Sequence, residues 1–357
     1  MRGMQRHVLT AVVLLASTPS FGAGFHALSV PGSQLVALSA DGHTAAGGLI
    51  GGTSGGFRWR EGEPLQMLPG AMSVRAISAS GRYVAGSSLD GAQREVATWW
   101  DADGVAHPIG GLAGADARGG VLSVAEGVND QLSVAGTAVD TRRGSTAFLW
   151  TRDDGLRALV SSGTSSGASG ISSDGRRVFG WSERDSARQG VLWHQGRACC
   201  AVDAASSEIT GANRSATLLL GVAGADQAFR WMPDAGASSE SIAAADDAAR
   251  FVAASDDGRV LAGASGSGAQ RVAVVATDAR GVERLDTYLA AERIAVPQGW
   301  TLMAATAVSA DGHRLGGFGL MDGRFDSFVI DLPSSKGDAA ARTHGAAAPV
   351  TSTGELP

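Results

Sequence analysis

An internal repeat constrains the fold more than any other feature of the chain, and its clearest copy is Ala168–Trp193. This copy contains a short apolar segment, an Asp-Gly turn, a second segment that ends on glycine, a polar loop and a third segment that ends in tryptophan. Repeats of about 20–50 residues indicate an architecture built from stacked copies of one unit. The glycine that ends the second segment recurs 39 to 53 residues apart, at Gly47, Gly86, Gly136, Gly180, Gly221, Gly263 and Gly316.

Each repeat predicts four antiparallel strands. Asp-Gly pairs between apolar segments favour two-residue type I′ hairpin turns. Phe148 and Trp150 lie two apart in the third segment, so they share one face of a strand. A short leucine-containing segment follows and predicts the fourth strand. The Asp-Gly pairs are Asp41-Gly42, Asp174-Gly175, Asp257-Gly258 and Asp311-Gly312; the other three turns are placed at Ser80-Gly81, Asn129-Asp130 and Asn213-Arg214.

Seven such units predict an all-β protein, a seven-bladed β-propeller of four-stranded antiparallel blades. The 51 glycines suit a fold with frequent turns. A single four-stranded sheet cannot bury both of its faces, so the blades are expected to pack against one another. The residues expected to fill the space between blades are Trp59, Trp100, Trp150, Trp193 and Trp231.

The two ends of the predicted propeller, residues 24–332, are expected to meet. The seventh unit ends at Leu332 without a fourth strand, and the segment after residue 23 resembles the fourth-strand region of unit one. We therefore expect Phe25–Val30 to pair beside Phe325–Asp331, which would cover an open sheet edge. The composition of residues 333–357 turns to Ser, Gly, Ala and Thr and predicts a disordered tail.

Residues 1–23 read as a signal peptide, with Arg2, Arg6 and His7 before the apolar run Val8–Ala16 and small residues after it. The run is too short to span a bilayer, and no later stretch is long and apolar enough for a membrane helix. The mature protein is therefore expected to be exported, periplasmic or extracellular, without a membrane span, and a monomer.

The repeat pattern A-x-[IV]-S-x-D-G-x-x-[VA]-x-G followed by A-F-x-W resembles the HAF-type extracellular repeat proteins of bacteria. The likeness is most specific over Leu285–Leu332, where LDTYL, GWTLMAATAVSADGHRLGGFG and FDSFVIDL follow in order. It extends more loosely over residues 36–332. The resemblance implies export and a β-propeller-like fold, and it implies no activity. The chain departs from the pattern in unit five, which lacks Asp-Gly, and in unit six, where Ala276 replaces tryptophan.

Composition and motifs narrow the functional classes. The net charge of −6 is spread along the chain without a basic face, which argues against nucleic acid as a partner. The sequence contains no nucleophile elbow, phosphate-binding loop, zinc-protease motif or dinucleotide fingerprint, so we expect no catalytic residues, cofactor or metal. His43 and His313 hold equivalent repeat positions, which repeat inheritance explains better than metal binding does.

Function in such a fold usually resides on one set of loops. Loops between second and third strands share a face with the connections from one blade to the next. The charged residues of these segments form the candidate binding face: Asp140, Arg142, Arg143, Glu183, Arg184, Asp185, Arg188, Asp116 and Arg118.

These observations favour a non-catalytic scaffold that binds a protein or glycan, at the cell envelope or outside the cell, through that face. One alternative is a polysaccharide-directed hydrolase or lyase, which needs carboxylates such as Glu183 and Asp185 to converge near the central channel. Another is a surface structural protein without a small ligand.

Cys199 and Cys200 are the only cysteines. Adjacent Cα atoms lie about 3.8 Å apart, below the usual disulfide range of about 4.4–6.8 Å. Two structural thiols in a strand, a vicinal disulfide that stiffens a loop, and a redox pair are the three interpretations.

Overall fold

The computed structural model describes residues 24–50, 55–112, 120–140, 144–204, 206–224, 226–236, 238–243 and 249–333. Within these ranges the regular structure is β-strand apart from the helix α1 (Leu285–Ala291) and short 3-10 turns at Pro233–Ala235 and Gly268–Gln270. The predicted signal peptide and nearly all of the predicted tail lie outside the described residues.

The strands follow one another in short segments along the chain. The first are β1 (Gly24–Ala27), β2 (Ser33–Leu38), β3 (Thr44–Leu49), β4 (Gly55–Arg60), β5 (Gln66–Leu68), β6 (Ala71–Ile77), β7 (Val84–Leu89), β8 (Glu95–Trp100) and β9 (Ala106–Gly110). The next are β10 (Ser123–Val128), β11 (Val134–Asp140), β12 (Gly144–Thr151), β13 (Gly155–Ala158), β14 (Ser165–Ile171), β15 (Arg177–Arg184), β16 (Ala187–His194) and β17 (Arg197–Ala201). The last are β18 (Ser207–Ala212), β19 (Leu219–Ala223), β20 (Gln227–Trp231), β21 (Glu240–Ser241), β22 (Ala249–Ala254), β23 (Val260–Ser265), β24 (Val272–Thr277), β25 (Gly281–Arg284), β26 (Trp300–Val308), β27 (Arg314–Met321) and β28 (Arg324–Asp331).

These strands form four-stranded antiparallel groups, which we call units 1 to 7. Units 1 to 4 are the sheets β2–β5, β6–β9, β10–β13 and β14–β17. Units 5 (β18–β21) and 6 (β22–β25) join through one parallel pairing of Ala212 with Ala253. Unit 7 has the order β26-β27-β28-β1. The predicted all-β class is confirmed, and the repeated four-stranded sheets are consistent with a β-propeller-like fold.

The N-terminal strand completes the last unit, as predicted. In β1, Phe25 pairs with Ile330 and Ala27 pairs with Phe328. The ring of Phe25 packs edge-on against that of Trp300, with 5.1 Å between ring centroids. The strand ends at Ala27, earlier than predicted, because the chain turns at Ser29, which has a left-handed φ of 56°.

A β-bulge shapes the first strand of every unit. In unit 4, Ala168 pairs with Gly180 and Gly170 pairs with Phe179, so Ser169 is the extra residue. The bulge brings a first-strand carbonyl so close to the glycine of the second strand that a Cβ there would lie 2.1 to 2.3 Å from it. The bulge residues are Val36, Arg75, Glu126, Ser169, Thr210, Val252 and Thr306.

This close approach explains the glycine that recurs in the sequence and corrects one assignment. In unit 7 the residue facing the bulge is Gly317, whose Cβ would lie 2.2 Å from the carbonyl oxygen of Ala304. Gly316, the predicted equivalent, instead faces the side chains of Leu35 and Leu38. The two adjacent glycines made the wrong alignment possible.

The Asp-Gly turns are not the two-residue type I′ turns that we predicted. In unit 1 the Gly42 N–H donates to the Ser39 carbonyl over 3.0 Å, and the Ser39 N–H donates to that of Thr44 over 2.8 Å, which encloses four residues. Only the glycine has a positive φ, 75°, whereas type I′ needs two positive values. The Asp41 carboxylate accepts hydrogen bonds from the Ser39 hydroxyl and the His43 N–H over 2.6 and 3.0 Å.

The same Ser-x-Asp-Gly bonds recur in units 4, 6 and 7. In units 3 and 5 asparagine replaces the serine, and Leu132 and Ala216 occupy the glycine position with φ of 59° and 51°. The predicted turns at Asn129-Asp130 and Asn213-Arg214 were therefore placed two residues too early.

Hydrogen bonds link these turns from each unit to the next, and the last unit links to the first. Every link runs in the same direction, with the lower-numbered unit donating and unit 7 donating to unit 1. The links are Ala40 N–H to the Ala79 carbonyl, Ser80 N–H to the Asp130 carboxylate, the Asn129 amide to the Ser172 carbonyl, Ser173 N–H to the Arg214 carbonyl, the Asn213 amide to the Asp256 carbonyl, Asp256 N–H to the Ala310 carbonyl and Ala310 N–H to the Ala40 carbonyl.

The hydrophobic core lies between consecutive units. Each neighbouring pair shares a cluster of buried side chains, and units 7 and 1 share one that includes Leu35 and Val329. The expected packing role of the tryptophans is confirmed for Trp100, Trp193 and Trp231, which are buried. Trp59 and Trp150 are only half-buried.

The two irregular units differ in how well they keep the pattern. Unit 6 is a complete sheet although Ala276 replaces tryptophan. Unit 5 has an outer strand of two residues, Glu240–Ser241. The helix α1 was not predicted; it places Leu285, Tyr288 and Leu289 in the core between units 6 and 7.

Candidate binding face

Backbone hydrogen bonds in three units support the predicted common face, which we call the loop face. Loops between second and third strands bond there to the segments that lead into first strands. The Ile50 N–H donates to the Gly32 carbonyl over 2.7 Å, and the Thr164 N–H donates to that of Glu183 over 2.8 Å. The Asp322 N–H donates likewise to that of Gly299 over 3.0 Å.

Four of the predicted residues lie on one hairpin of unit 4. Asp185 and Ser186 connect β15 to β16 with φ of 51° and 63°, the two positive values of a type I′ turn. Glu183 and Arg188 face each other across the two strands. The Arg184 guanidinium donates to the Ser162 carbonyl over 3.2 Å.

The other predicted residues do not join this hairpin. Asp140 ends β11 and is half-buried. Arg142, Arg143, Asp116 and Arg118 lie outside the described residues. Within the described part of the chain, the carboxylates of Glu183 and Asp185 have no hydrogen bond or ion pair, so the convergence that a hydrolase needs is not seen there.

Arg188 alone among the predicted residues belongs to a larger group, which we call the arginine cluster: Trp181, Arg188, Glu208 and Arg250. The Arg188 guanidinium lies 3.9 Å from the centroid of the Trp181 ring, a cation–π contact. Its Nη1 donates to Oε2 of Glu208 over 2.9 Å. Nη2 of Arg250 contacts the other oxygen of the same carboxylate.

The cluster joins side chains from units 4, 5 and 6 near the loop face. Both arginines keep almost half of their side chains exposed, 43% and 46%. Exposed ion pairs contribute only about 0–1 kcal/mol to folding. The contribution of these ion pairs to folding stability is therefore too small to explain why the four side chains are brought together.

Positive charge is in excess at the cluster. The Glu208 carboxylate pairs with both guanidiniums. Burial lowers the pKa of Arg250, and the charges of Arg271 and Arg188 lower it further. Arg271 is exposed, lies 5.7 Å from the ring centroid of Phe318, and makes no ion pair among the described residues. The group is suited to a ligand that presents carboxylates or other anionic oxygens.

A second charged group lies on the first strands of units 2 and 3. Nε of Arg75 is 3.9 Å from Oε2 of Glu126, and both are bulge residues. Burial raises the pKa of Glu126; the charge of Arg75 opposes this shift, and that of Glu95 adds to it. Glu95 accepts a hydrogen bond from the Ser87 hydroxyl over 2.5 Å.

A small cavity of mixed polarity lies where the first strands end at the turns. It has a volume of about 100 Å³, and its lining includes apolar side chains from five first strands, Leu38, Ile77, Val128, Ile171 and Val308, together with the polar residues Ser39, Asn129 and Ser173. The Arg214 side chain, paired with Asp256, adds charge at its edge.

The backbone N–H of each repeat-equivalent histidine, His43 and His313, donates to the aspartate of its turn. Nδ1 of His43 lies 2.6 Å from Oε2 of Glu61 in the seam between units 1 and 7. The His313 N–H donates to the Asp311 carboxylate over 3.0 Å. Among the described residues no group of three His, Cys, Asp or Glu side chains could hold a metal ion.

Sequence reasoning missed most of the charged groups because their members lie in different repeats. A signal was nevertheless present. Arg75 and Glu126 occupy the bulge position in consecutive repeats, and Glu208 and Arg250 occupy the position two residues before it. Opposite charges at equivalent positions of neighbouring repeats thus mark contacts between units.

Comparisons add no family assignment. No protein-family model matches the chain, and a search of curated proteins finds no match. In the part of the chain that the structure describes, every helix is too short or too polar to cross a bilayer.

Proposed function

We propose that residues 24–332 form a closed seven-bladed β-propeller that acts as an exported, non-catalytic binding scaffold. The cycle of hydrogen bonds between turns, the cluster shared by units 7 and 1 and the pairing of β1 with β28 support closure. The signal-like residues 1–23 and the resemblance to HAF-type repeat proteins support export, to the periplasm or beyond the cell.

The observation that carries the binding role is the arginine cluster. It assembles an aromatic ring, two half-exposed guanidiniums and a carboxylate from three consecutive units. Such a surface suits a protein or glycan with acidic groups, because guanidinium forms strong charge-assisted hydrogen bonds with carboxylates. The Glu183–Arg188 hairpin extends it toward the loop face.

Retention on a cell-envelope fraction tests this function. The mature chain, from residue 24, is immobilised, and the envelope material that it retains is compared with that retained by the double variant Arg188→Ala/Arg250→Ala. We expect the variant to lose most of the retention. A matched control, Arg157→Ala/Arg259→Ala, removes two exposed arginines outside the cluster and should retain as much as the parent.

Treating the retained material with a protease or with polysaccharide-degrading enzymes distinguishes a protein ligand from a glycan. Equal retention by parent and cluster variant, with both chains shown to be folded by circular dichroism, would remove the cluster from the binding site.

A second candidate function, a polysaccharide hydrolase or lyase, rests on Glu126 rather than on Glu183 and Asp185. Burial raises the pKa of Glu126, and Glu95 supplies a second carboxylate whose charge adds to this shift. Glycosidic acid–base chemistry uses such a combination of a carboxyl with a raised pKa and a second carboxylate. Turnover of a polysaccharide by the parent and its loss in Glu126→Gln would support this candidate. The absence of product from a panel of acidic and neutral polysaccharides would count against it.

A further inference from the structure

The two cysteines lie side by side on one face of an outer strand. Adjacent residues of a strand ordinarily point to opposite faces. In β17, however, Cys200 pairs with Leu192 and Ala198 pairs with Trp193, so Cys199 is the extra residue of a bulge. The two sulfur atoms are 3.1 Å apart, and both thiols are free.

Both thiols line a cleft of about 260 Å³, whose walls are part polar, with Ser162, Ser182, Arg184 and Gln189, and part apolar, with alanines and Val191. Cys199 is exposed to solvent. Its Sγ donates a weak hydrogen bond to the Leu192 carbonyl over 3.4 Å and accepts one from the Cys200 thiol. The pair is therefore accessible, preorganised and open to a ligand from the cleft.

The geometry of the thiol pair selects among possible ligands. The two sulfur atoms lie 3.1 Å apart, and among the described residues no third His, Cys, Asp or Glu side chain joins them to form a metal site. Structural zinc needs four ligands. A ligand that bonds to only two sulfur atoms at short separation fits better.

We propose that Cys199 and Cys200 form a bidentate site for trivalent arsenic, taken up as arsenous acid. Both S–H bonds and two As–O bonds break, two As–S bonds form, and two molecules of water leave. Arsenic remains trivalent and keeps its third hydroxyl, so no oxidant or reductant takes part. A pyramidal trivalent centre holds its ligands at a narrow angle, which suits two sulfur atoms that already touch.

The test uses the full mature chain, isolated under reducing conditions, freed of reductant under inert gas and titrated with arsenite or with phenylarsine oxide. We expect one arsenic per chain by intact mass, and both thiols protected from a thiol-specific dye. Cys199→Ser and Cys200→Ser each retain one thiol, so each should bind about 100-fold more weakly, because the second bond is no longer intramolecular.

Preorganisation is tested by comparing native protein with urea-unfolded protein, and we expect the native chain to bind at least tenfold more tightly. X-ray absorption should give two As–S bonds. Equal binding by a single-cysteine variant would overturn the site, as would equal binding by the unfolded chain. A Cys199–Cys200 disulfide in protein isolated from its natural host would overturn it too.

Discussion

Arg314 of unit 7 donates a hydrogen bond from Nη1 to Oε2 of Glu61 in unit 1, over 2.7 Å. Its Nε lies 2.6 Å from Oδ1 of Asp331, and the other oxygen of that carboxylate is 2.9 Å from Nε2 of His26 on the N-terminal strand. One arginine, with 9% of its side chain exposed, therefore connects the first unit, the last unit and the strand that completes it.

Replacing this arginine should destabilise the protein strongly. In Arg314→Ala the nearly buried Asp331 carboxylate loses its guanidinium partner, and removing one member of a buried pair costs about 3–5 kcal/mol. Urea unfolding followed by tryptophan fluorescence measures the loss. Arg259→Ala, at a side chain that is 67% exposed, serves as control and should stay within about 0.5 kcal/mol of the parent. A loss below about 1 kcal/mol in Arg314→Ala would contradict a structural role for the seam.

The seam should also make stability depend on pH. The hydrogen bond from Arg314 lowers the pKa of Glu61 below its usual value, and the bond from His43 adds to the effect, although burial opposes it. A carboxyl with a lowered folded-state pKa stabilises the fold above its unfolded-state pKa and loses that contribution as pH falls through the folded value. The free energy of unfolding should therefore differ more between the parent and Glu61→Gln at pH 7 than at pH 3. An equal difference at both pH values would show that Glu61 does not titrate with folding.

The glycines opposite the bulges should not tolerate a side chain. In Gly180→Ala the new Cβ would lie 2.1 Å from the Gly167 carbonyl oxygen, so the backbone must move. We expect a loss of about 3 kcal/mol, the upper end for overpacked cores. Gly91→Ala is the control, because no atom lies within 4 Å of the new Cβ. It should leave the melting temperature unchanged or raise it slightly.

The serine of each Ser-x-Asp-Gly turn should matter more than its neighbour. Ser172 is fully buried; its hydroxyl donates to Asp174 over 2.6 Å and accepts from the Arg177 N–H over 3.0 Å. Ser172→Ala removes the acceptor of the Arg177 N–H and one of the two hydrogen bonds that Asp174 accepts, and we expect a loss of about 1–3 kcal/mol. Ser173→Ala, at an exposed position, should cost far less. Burial acts to raise the pKa of Asp174, but the hydrogen bond from Ser172 helps to hold that pKa below its usual value. We therefore expect Ser172→Ala to raise the pKa of Asp174, measured by NMR titration of the carboxyl group.

The sequence predicted the elements that recur and missed the features that depend on exact register. The pairing of Phe25 with β28 followed from the missing fourth strand in unit 7, since an uncovered edge needs a partner. Gly316 was confused with Gly317 because the bulge that distinguishes them lies on another strand. An Asp-Gly dipeptide by itself predicts a type I′ turn. The hydrogen bond that the aspartate accepts from the serine two residues earlier changes the turn, and the dipeptide does not include that serine.

Of the four residues of the arginine cluster, the sequence predicted only Arg188 as part of a binding face. The charged segment between the second and third strands indicated Arg188, which lies in β16 beside the two-residue turn. Trp181, Glu208 and Arg250 lie within strands, where alternation assigns a side chain to a face but does not say which unit it meets. The contacts of these three side chains depend on how neighbouring units pack, and the repeat pattern does not specify that packing for individual residues.

The turn-to-turn hydrogen bonds all run the same way around the molecule, so each unit donates one hydrogen bond to its successor and accepts one from its predecessor. In this cycle of hydrogen bonds no unit is distinguished as the first. A circular permutant that begins at Gly323, with the original ends joined by a flexible linker, should therefore reach the same native state. Deleting one whole unit should instead leave one donor and one acceptor without a partner.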